Sequence, residues 1–299
     1  MSLIPFDNRD GFIWWDGTMT PWRDAKLHVL SHGLHYASAV FEGERAYAGN
    51  IFRLRDHTNR LINSGRLLGF EIPFTADEID SACKAILNAN NLADAYIRPV
   101  AWRGSEQLAV SAQMTKIHLA IAAWPWPNLF GADRMKGIRL AVAEWRRPDP
   151  RTAPTASKAA GLYMIGTLSK HAAEKAGFDD ALMLTCDGFV AEATGANIFF
   201  AFDGSLHTPT PESFLDGITR RTVISLARAR NIPVIERHIT PEEIRDAAEV
   251  FLAGTAAEIT PVRAIGDLVF TPGTITETLI SDYDALVRMP PDEVAKRAA

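Results

Sequence analysis

The chain has 299 residues, enough for two domains that each bury an apolar core. Apolar residues make up 47% of it and charged residues 22%, the balance of an ordinary globular protein. The formal net charge of −5, without blocks of basic residues, argues against nucleic acids and anionic membranes as partners. The N-terminal residues lack the pattern of a secretory signal, and the apolar runs are too short to cross a bilayer.

The two cysteines of the chain indicate the compartment in which the protein resides. Cys83 and Cys186 lie far apart in the sequence and have no metal-ligand spacing. Free thiols are typical of cytoplasmic proteins, because that compartment keeps cysteines reduced. We therefore expect a cytoplasmic protein with two free thiols and no bound metal.

The N-terminal third predicts a small α/β domain over residues 1–124. Asp16-Gly17 and Ala48-Gly49 are turn sequences that each separate two strand-forming runs. A helix is predicted from Asp56 to residue 68, and Thr75 with Glu78 forms a capping box that opens a second helix. Strands are predicted at 12–15, 18–22, 40–47, 51–54, 95–103 and 116–124.

A second, larger and strand-rich domain is predicted over residues 138–299. Proline and glycine residues interrupt all periodicity at 125–137, which predicts an inter-domain linker. Helices are predicted at 157–176, ended by Gly177, and from Gly217 onward. A cleft between two such domains is a usual place for a ligand. Strands are predicted at 138–145, 180–185, 234–239 and 249–253, with a hairpin around Asp203-Gly204.

Lys158 stands among small residues at the start of the predicted 157–176 helix. The helix dipole disfavours a cation at this position, a setting that suits a lysine that forms a Schiff base. Taken alone, the pattern is more typical of a lysine on the protein surface.

Two segments have the chemistry of a phosphate site. Gly217-Ile218-Thr219 opens a helix, and Gly254-Thr255-Ala256 directly follows a strand. Each offers backbone N–H groups and a hydroxyl, although such loops are common. The chain has neither a Walker-type run nor Gly-x-Gly-x-x-Gly after a strand, which argues against nucleoside triphosphates and dinucleotides.

Glu192 is surrounded by small residues between two predicted strands. A lone acid in such a place is more often an exposed turn residue. In a pyridoxal 5′-phosphate (PLP) site, however, a carboxylate must face the pyridine nitrogen and keep it protonated, so that the ring can accept electrons.

The stretch from Glu192 to Arg220 combines these signals at fixed spacing. It contains Glu192, Thr194, Asn197-Ile198-Phe199, Leu206-His207-Thr208 and Leu215-Asp216-Gly217-Ile218-Thr219-Arg220. This pattern resembles the signature of class IV PLP-dependent aminotransferases, and the resemblance extends from His32 to about Val269. It implies a fold-type-IV α/β protein that is active as a homodimer, with a small N-terminal domain and a larger pseudo-barrel domain that binds PLP.

The resemblance also implies a cofactor site. Lys158 is similar to the lysine that carries PLP, Tyr163 to the tyrosine at its phenolic oxygen, and Glu192 to the partner of the pyridine nitrogen. Leu215 resembles the residue that packs against the ring. Without the family, Arg60 would be equally typical of a helix surface. The residues that resemble the phosphate binders are Arg60, Gly217, Ile218, Thr219 and Thr255.

Three segments resemble the branched-chain aminotransferase subgroup, namely 31–43, 96–99 and 254–262. This resemblance implies that the substrates are branched-chain amino acids, glutamate and their 2-oxo acids. Tyr36 and Val110 would come from the partner subunit, and Tyr96 would bind the α-carboxylate. The residues that resemble the substrate pocket are Tyr36, Phe41, Tyr96, Arg98, Val110, Trp126 and Ala256.

Arg98 lies on the same strand face as Tyr96, Val100 and Trp102, because side chains alternate along a strand. A buried arginine needs an anion. A structural salt bridge would supply one, and the side-chain carboxylate of glutamate is the alternative. We expect the glutamate carboxylate to be the anion at Arg98, because one pocket must accept both glutamate and a branched apolar side chain.

The sequence departs from the subgroup at two places. The loop 103–111 lacks the glycine-rich run of some branched-chain enzymes, which leaves the breadth of the substrates open. Glu44 stands where the family has an apolar residue, and alternation along the predicted strand 40–47 would point it away from Phe41.

The sequence therefore predicts a branched-chain L-amino acid:2-oxoglutarate aminotransferase that works by a ping-pong mechanism, with Lys158 as the general acid–base. A D-amino-acid aminotransferase, an (R)-selective amine transaminase or an aminodeoxychorismate lyase would use the same lysine and acid. A binding protein without catalysis could also keep the scaffold. The pair Tyr96 and Arg98, with Phe41-Glu42-Gly43, favours the branched-chain function.

Overall fold

The structure of the protein, a computed structural model, describes residues 4–126 and 131–290. The described residues form two compact units. The first comprises residues up to 126 together with Ser157–Gly161, and the second comprises residues 131–156 and the described residues from 162 onward. Of the predicted linker 125–137, residues 127–130 lie outside the described part of the chain.

The first unit is an antiparallel sheet with two long helices packed against it. Within residues 4–126 the strand order is β2-β1-β7-β6-β4-β5, with β3 paired to β6. Its helices are α1 (His32–Tyr36), α2 (Leu54–Leu67) and α3 (Ala76–Ala89). Its strands are β1 (Phe12–Trp15), β2 (Thr18–Pro21), β3 (Ala39–Phe41), β4 (Glu44–Tyr47), β5 (Asn50–Ile51), β6 (Ala95–Arg103) and β7 (Ile117–Pro125).

Several local signals in this unit are confirmed. The predicted capping box closes the start of α3, where the N–H of Glu78 donates to the hydroxyl of Thr75 and the Glu78 carboxylate accepts from the Thr75 N–H. The hairpin of β1 and β2 turns at Asp16-Gly17, both with positive φ. One apolar face of α3, including the fully buried Ile79 and Ile86, packs on the sheet.

The predicted strand 40–47 is wrong as a single element. β3 ends at Phe41 and β4 begins at Glu44. At the break the N–H of Glu42 donates to the carbonyl oxygen of Pro99 over 2.8 Å, which ties the chain to β6. Alternation along one strand therefore does not apply to Glu44, and its side chain is fully buried.

The second unit is a mixed sheet flanked by helices. Within the described residues its strand order is β10-β9-β8-β15-β14-β11-β12-β13, with β16 paired to β15. Its helices are α4 (Met164–Lys175), α5 (Ile218–Ala229) and α6 (Thr274–Val287). Its strands are β8 (Ile138–Arg147), β9 (Asp180–Thr185), β10 (Val190–Ala193), β11 (Asn197–Phe202), β12 (Ser205–Thr208), β13 (Val234–Glu236), β14 (Glu249–Gly254), β15 (Glu258–Ile265) and β16 (Leu268–Val269).

The apolar side chains of β11, β14 and β15 form the centre of the second core, where Ile198, Val250 and Val262 are fully buried. The hairpin around Asp203-Gly204 and the strand 180–185 are confirmed. The helix predicted at 157–176 is wrong at its start, because α4 begins at Met164. None of the helices in the described residues is long and apolar enough to cross a lipid bilayer.

Candidate functional site

Lys158 lies in an extended segment of the first unit that is fixed by hydrogen bonds on both sides. Its N–H donates to the hydroxyl of Ser64 on α2 over 3.0 Å, and its carbonyl oxygen accepts from the N–H of Phe41 on β3 over 3.1 Å. Lys158 therefore pairs with β3 and α2 and precedes both the 3-10 turn Ala160–Tyr163 and α4, so its predicted position inside the start of the helix is wrong. The lysine is instead placed by β3 and α2.

The ring of Phe41 lies close to two cations of the same unit. The Nζ atom of Lys158 is 5.1 Å from the ring centroid, and the Cζ atom of Arg98 is 4.7 Å from it. The Nη2 atom of Arg98 also donates to the phenolic oxygen of Tyr96 over 3.1 Å. Four residues that the sequence assigned to the site therefore meet in the first unit.

Several buried N–H donors around Tyr96 have no acceptor among the described residues. They are Nε of Arg98 and the indole Nε1 atoms of Trp124 and Trp126. The ring centroids of Trp124 and Trp126 lie 5.2 and 5.0 Å from that of Tyr96. In the described part of the chain, Arg98 has no carboxylate partner, so the structural salt bridge that was considered as an alternative does not form there. Buried donors without an acceptor are costly, so this group is suited to an anionic ligand.

Trp124 was missed by the sequence analysis. It stands directly opposite Tyr96 in the pairing of β6 with β7. Side chains opposite each other in an antiparallel pair lie on the same face of the sheet. The register of the two strands would have identified it, but the sequence does not fix that register.

Arg60 on α2 forms an ion pair within the first unit. Its Nε and Nη2 atoms donate to the two carboxylate oxygens of Glu42 over 2.6 and 2.9 Å. His57 donates from Nδ1 to the same carboxylate over 2.7 Å. The side chain of Arg60 is only 11% exposed, so Arg60 is not an ordinary surface arginine of a helix.

Tyr36 and Val110 lie on the surface of the first unit, where they are 46% and 87% exposed. Tyr36 belongs to α1, and its ring stacks on His32 with the centroids 4.5 Å apart. Both residues were assigned to the pocket of the partner subunit, and their exposure leaves them available for that role.

Glu192 lies on β10 in the second unit, so its predicted position between strands is wrong. Its carboxylate is buried and has a partner on each oxygen. Asn197 donates from Nδ2 to Oε2 over 3.2 Å, and Nε of Arg147 lies 3.4 Å from Oε1. Asn197 also donates to the carbonyl oxygen of Leu215 over 3.1 Å, which links the acid to the residue assigned to pack on the ring.

Arg147, at the end of β8, was also missed by the sequence analysis. Besides Glu192, it reaches the carbonyl oxygens of Ser213 and Leu162 over 3.4 and 3.3 Å. A buried carboxylate needs donors or a cation, but Arg147 is far from Glu192 in the sequence and no spacing rule connects them. The fold alone brings them together.

The candidate phosphate binders of the second unit lie at two turns. Gly217 caps α5 without a side-chain hydrogen bond, and Ile218 and Thr219 are buried in its first turn. The first N–H groups of a helix have no acceptor within the helix, which suits an anion. Thr255 and Ala256 are partly buried in the turn from β14 to β15, and α5 packs against β14.

Tyr163 occupies the residue before α4, at the end of a 3-10 turn, and is partly buried. Its carbonyl oxygen accepts a hydrogen bond from the hydroxyl of Thr167 over 3.2 Å. This hydrogen bond fixes the backbone of Tyr163 at the start of α4.

Comparison with known proteins identifies the class of this protein. A family model described as amino-transferase class IV matches residues 39–265. The match covers more than half of the chain, so the protein belongs to the class IV aminotransferases. They are enzymes, and PLP is the cofactor of this protein.

Within that class, the chain belongs to the branched-chain-amino-acid aminotransferase family. The enzyme of that name from Pseudomonas aeruginosa is 41% identical over 288 residues, which are 94% of each chain. The crystal structure of the branched-chain aminotransferase of the archaeon Thermoproteus uzoniensis with norvaline has a TM-score of 0.91 at 38% identity and covers 96% of this chain and 98% of that one. The T.th. branched-chain amino acid aminotransferase complexed with N-(5′-phosphopyridoxyl)-L-glutamate has a TM-score of 0.91 at 37% identity and covers 96% of this chain and 97% of that one. The predicted fold-type-IV α/β architecture is confirmed.

Proposed function

We propose that the protein transfers the α-amino group of branched-chain L-amino acids to 2-oxoglutarate in a ping-pong reaction. The arrangement of Arg98, Tyr96 and Phe41 beside Lys158 carries this proposal. Arg98 is a partly buried cation that has no carboxylate partner in the described residues, and it lies against an aromatic ring. Such a pocket accepts the side-chain carboxylate of glutamate at Arg98 and a branched side chain at Phe41.

The first unit supplies the reacting lysine and the substrate contacts. Lys158 is the catalytic residue, and Tyr96 binds the α-carboxylate together with the backbone of Thr255 and Ala256, which the second unit supplies. Phe41 and Trp126 form the apolar wall of the side-chain pocket. Arg98, with the indole N–H groups of Trp124 and Trp126 nearby, provides the polar end of that pocket.

The residues of the second unit fit PLP because Glu192 is a buried carboxylate with a partner on each oxygen. An acid held in this way can keep a pyridine nitrogen protonated. Leu215 packs on the ring, and Tyr163 contacts its phenolic oxygen. The phosphate is bound by Arg60, Gly217, Ile218, Thr219 and Thr255.

When bound, PLP supplies an electron sink for the charge that develops at the Cα atom of the substrate. The amine of Lys158 moves the proton between this Cα atom and the C4′ atom of the cofactor. The hydrogen bond that the Lys158 N–H donates to Ser64 and the one that its carbonyl oxygen accepts from Phe41 hold its backbone, so only its flexible side chain has to move during this transfer. Arg98 orients 2-oxoglutarate in the second half-reaction, which is the reverse of the first.

We further propose a cytoplasmic homodimer. Tyr36 and Val110, both exposed on the first unit, would complete the pocket of the partner subunit. The described part of the chain contains a buried free thiol at Cys83 and an exposed one at Cys186, as expected in a reducing compartment. Sedimentation equilibrium of the holoenzyme tests the dimer, and a monomeric enzyme with full activity would contradict it.

The visible absorption of the PLP-loaded enzyme, followed during a single half-reaction, tests the substrate assignment. We expect the absorption band to change with L-leucine, L-isoleucine, L-valine and L-glutamate. A response to D-alanine or (R)-1-phenylethylamine alone would assign the enzyme to one of the alternative activities. Absorption by the cofactor without any response would indicate a binding protein without catalysis.

A further inference from the structure

Glu42 is a fully buried carboxylate to which the proposed chemistry assigns no function. It lies at the break between β3 and β4 and is 0% exposed. Its backbone N–H donates to the carbonyl oxygen of Pro99 on β6. A charge in such a place is tolerated only when it is paired and hydrogen-bonded, so the partners of Glu42 indicate what it does.

The partners of Glu42 come from one face of α2. Arg60 donates from Nε to Oε1 over 2.6 Å and from Nη2 to Oε2 over 2.9 Å. His57 donates from Nδ1 to Oε2 over 2.7 Å. Residues three apart in a helix point to the same side, which explains how α2 presents both donors. A carboxylate bound at two points to a guanidinium, with a third donor beside it, has one orientation.

The surroundings of Glu42 favour its ionised form. Burial acts to raise the pKa of Glu42, but the charge and hydrogen bonds of Arg60, with a smaller effect of His57, hold that pKa well below its ordinary value. Burial lowers the pKa of His57 despite the carboxylate beside it. A lowered pKa favours the neutral form of His57, so Arg60 supplies the larger part of the stabilisation of the Glu42 charge.

We propose that Glu42 is a positioning residue that, together with His57, orients the guanidinium of Arg60 toward the phosphate of PLP. This inference rests on the proposed role of Arg60 in binding that phosphate. Arginine has five N–H donors, and Glu42 takes the Nε donor and one at Nη2. The Nη1 atom is not part of the ion pair with Glu42. Because the guanidinium is planar, the ion pair nevertheless fixes the direction in which Nη1 points. A side chain that is already oriented loses less conformational entropy when it binds an anion.

The same helix also fixes Lys158. The hydroxyl of Ser64, about two turns after His57 on α2, accepts from the Lys158 N–H. One rigid element therefore sets the position of the proposed phosphate-binding arginine and of the backbone that carries the catalytic lysine. Glu42, next to Phe41 in the sequence, connects this helix to the sheet.

Binding of PLP and of pyridoxal, which lacks the phosphate, tests the role of Glu42. Apoenzyme prepared by resolving the holoenzyme is titrated with each compound, and the two Kd values are compared. In Glu42→Gln, we expect the Kd of PLP to rise about ten-fold or more, the effect of one charge-assisted hydrogen bond, while the Kd of pyridoxal stays unchanged. Glu42→Asp keeps the charge but withdraws the carboxylate by one methylene group, so its PLP binding should weaken in the same direction with less risk to folding.

The matched control is Glu44→Gln, which makes the same change two residues further on. Glu44 is also fully buried, and its carboxyl oxygens form no hydrogen bond with Arg60 or His57. Both Kd values should therefore match those of the wild type. An equal loss of PLP and pyridoxal binding in both Glu42 variants, or tighter PLP binding in Glu42→Gln, would contradict the positioning role.

Arg60→Ala separates this inference from the proposed function. If Arg60→Ala loses the preference for PLP over pyridoxal and both Glu42 variants keep it, then Arg60 binds the phosphate and the role of Glu42 is wrong. If Arg60→Ala itself keeps the preference, the assignment of Arg60 fails and the inference fails with it. A loss of this preference in all three variants supports both the assignment of Arg60 to the phosphate and the positioning role of Glu42.

Discussion

Gly43 and Tyr96 are so close that no larger residue fits at position 43. A Cβ atom built on Gly43 would overlap the phenolic oxygen of Tyr96 and lie 2.8 Å from its Cζ atom. Tyr96 is buried, and its ring packs on Trp124 and Trp126, so it cannot easily move aside. This contact explains why the break between β3 and β4 needs a glycine.

Gly43→Ala should impair the binding of every amino acid substrate. The added methyl group must displace Tyr96, which breaks its hydrogen bond with Arg98 and moves the proposed contact for the α-carboxylate. Overpacking of this kind costs about 1–3 kcal/mol, so we expect kcat/KM for leucine and for glutamate to fall roughly ten-fold. Gly43→Ala combined with Tyr96→Phe should relieve part of the overlap. Unchanged steady-state kinetics in Gly43→Ala would show that the pocket tolerates the methyl group.

Arg98→Met should separate the two classes of substrate. Methionine keeps an apolar stem beside Phe41 but removes the guanidinium and its unpaired buried N–H. A hydrogen bond to a charged group contributes about 1.5–3 kcal/mol, so kcat/KM for glutamate and 2-oxoglutarate should fall roughly 10- to 100-fold. The value for leucine should change little. Equal losses for leucine and glutamate, measured by steady-state kinetics, would mean that Arg98 is structural.

Much of this site could be predicted from the sequence, but the contacts that hold it could not. Glu192 and Gly217 stand at fixed spacing within one stretch, and short-range rules are sufficient to find them. Arg147 reaches Glu192 only because β8 and β10 flank β9 in one sheet. Such a pairing depends on the order of the strands, which local patterns do not determine.

The fold shows the same division between local and distant effects. Thr75 and Glu78 are close in the sequence, and their capping box was predicted correctly. The start of α4 was misplaced because residues 157–159 look helical in composition but pair with β3 and α2. Tertiary contacts of this kind override local propensity. The helix α6 was not predicted, although it packs on β14 and β15.

Asn197→Ala should slow the chemical step without changing substrate affinity. The variant removes the hydrogen bond to Oε2 of the Glu192 carboxylate and the link to Leu215. A buried acceptor left without its donor costs about 1–3 kcal/mol, so we expect kcat to fall roughly ten-fold for leucine and glutamate alike, with KM unchanged.

Gly217→Ala provides an independent route to the same effect. A Cβ atom on Gly217 would overlap Oδ1 of Asn197 and lie 3.4 Å from its Cγ atom. Gly217→Ala should therefore lower kcat as Asn197→Ala does. In the Asn197→Ala background it should have little further effect, because the obstructing side chain is gone. Full additivity of the two losses, measured in a double-mutant cycle, would argue against this connection.

Glu44→Gln should make the protein less sensitive to pH. Burial raises the pKa of Glu44 well above its ordinary value, and the negative charges of Glu42 and Asp80 raise it further. Since the unfolded pKa of glutamate is about 4.3, the folded protein holds an additional proton above that pH. The resulting contribution to stability is complete below about pH 4 and is lost as the pH rises toward the folded pKa.

Glutamine does not titrate, so the variant escapes this loss. The free energy of unfolding of Glu44→Gln relative to the wild type should therefore increase with pH from about pH 5 upward, with a limiting slope of ~1.4 kcal/mol per pH unit. Urea unfolding of the holoenzymes between about pH 5 and 8 tests this expectation. A constant difference between Glu44→Gln and the wild type over that range would show that Glu44 is ionised in the folded protein.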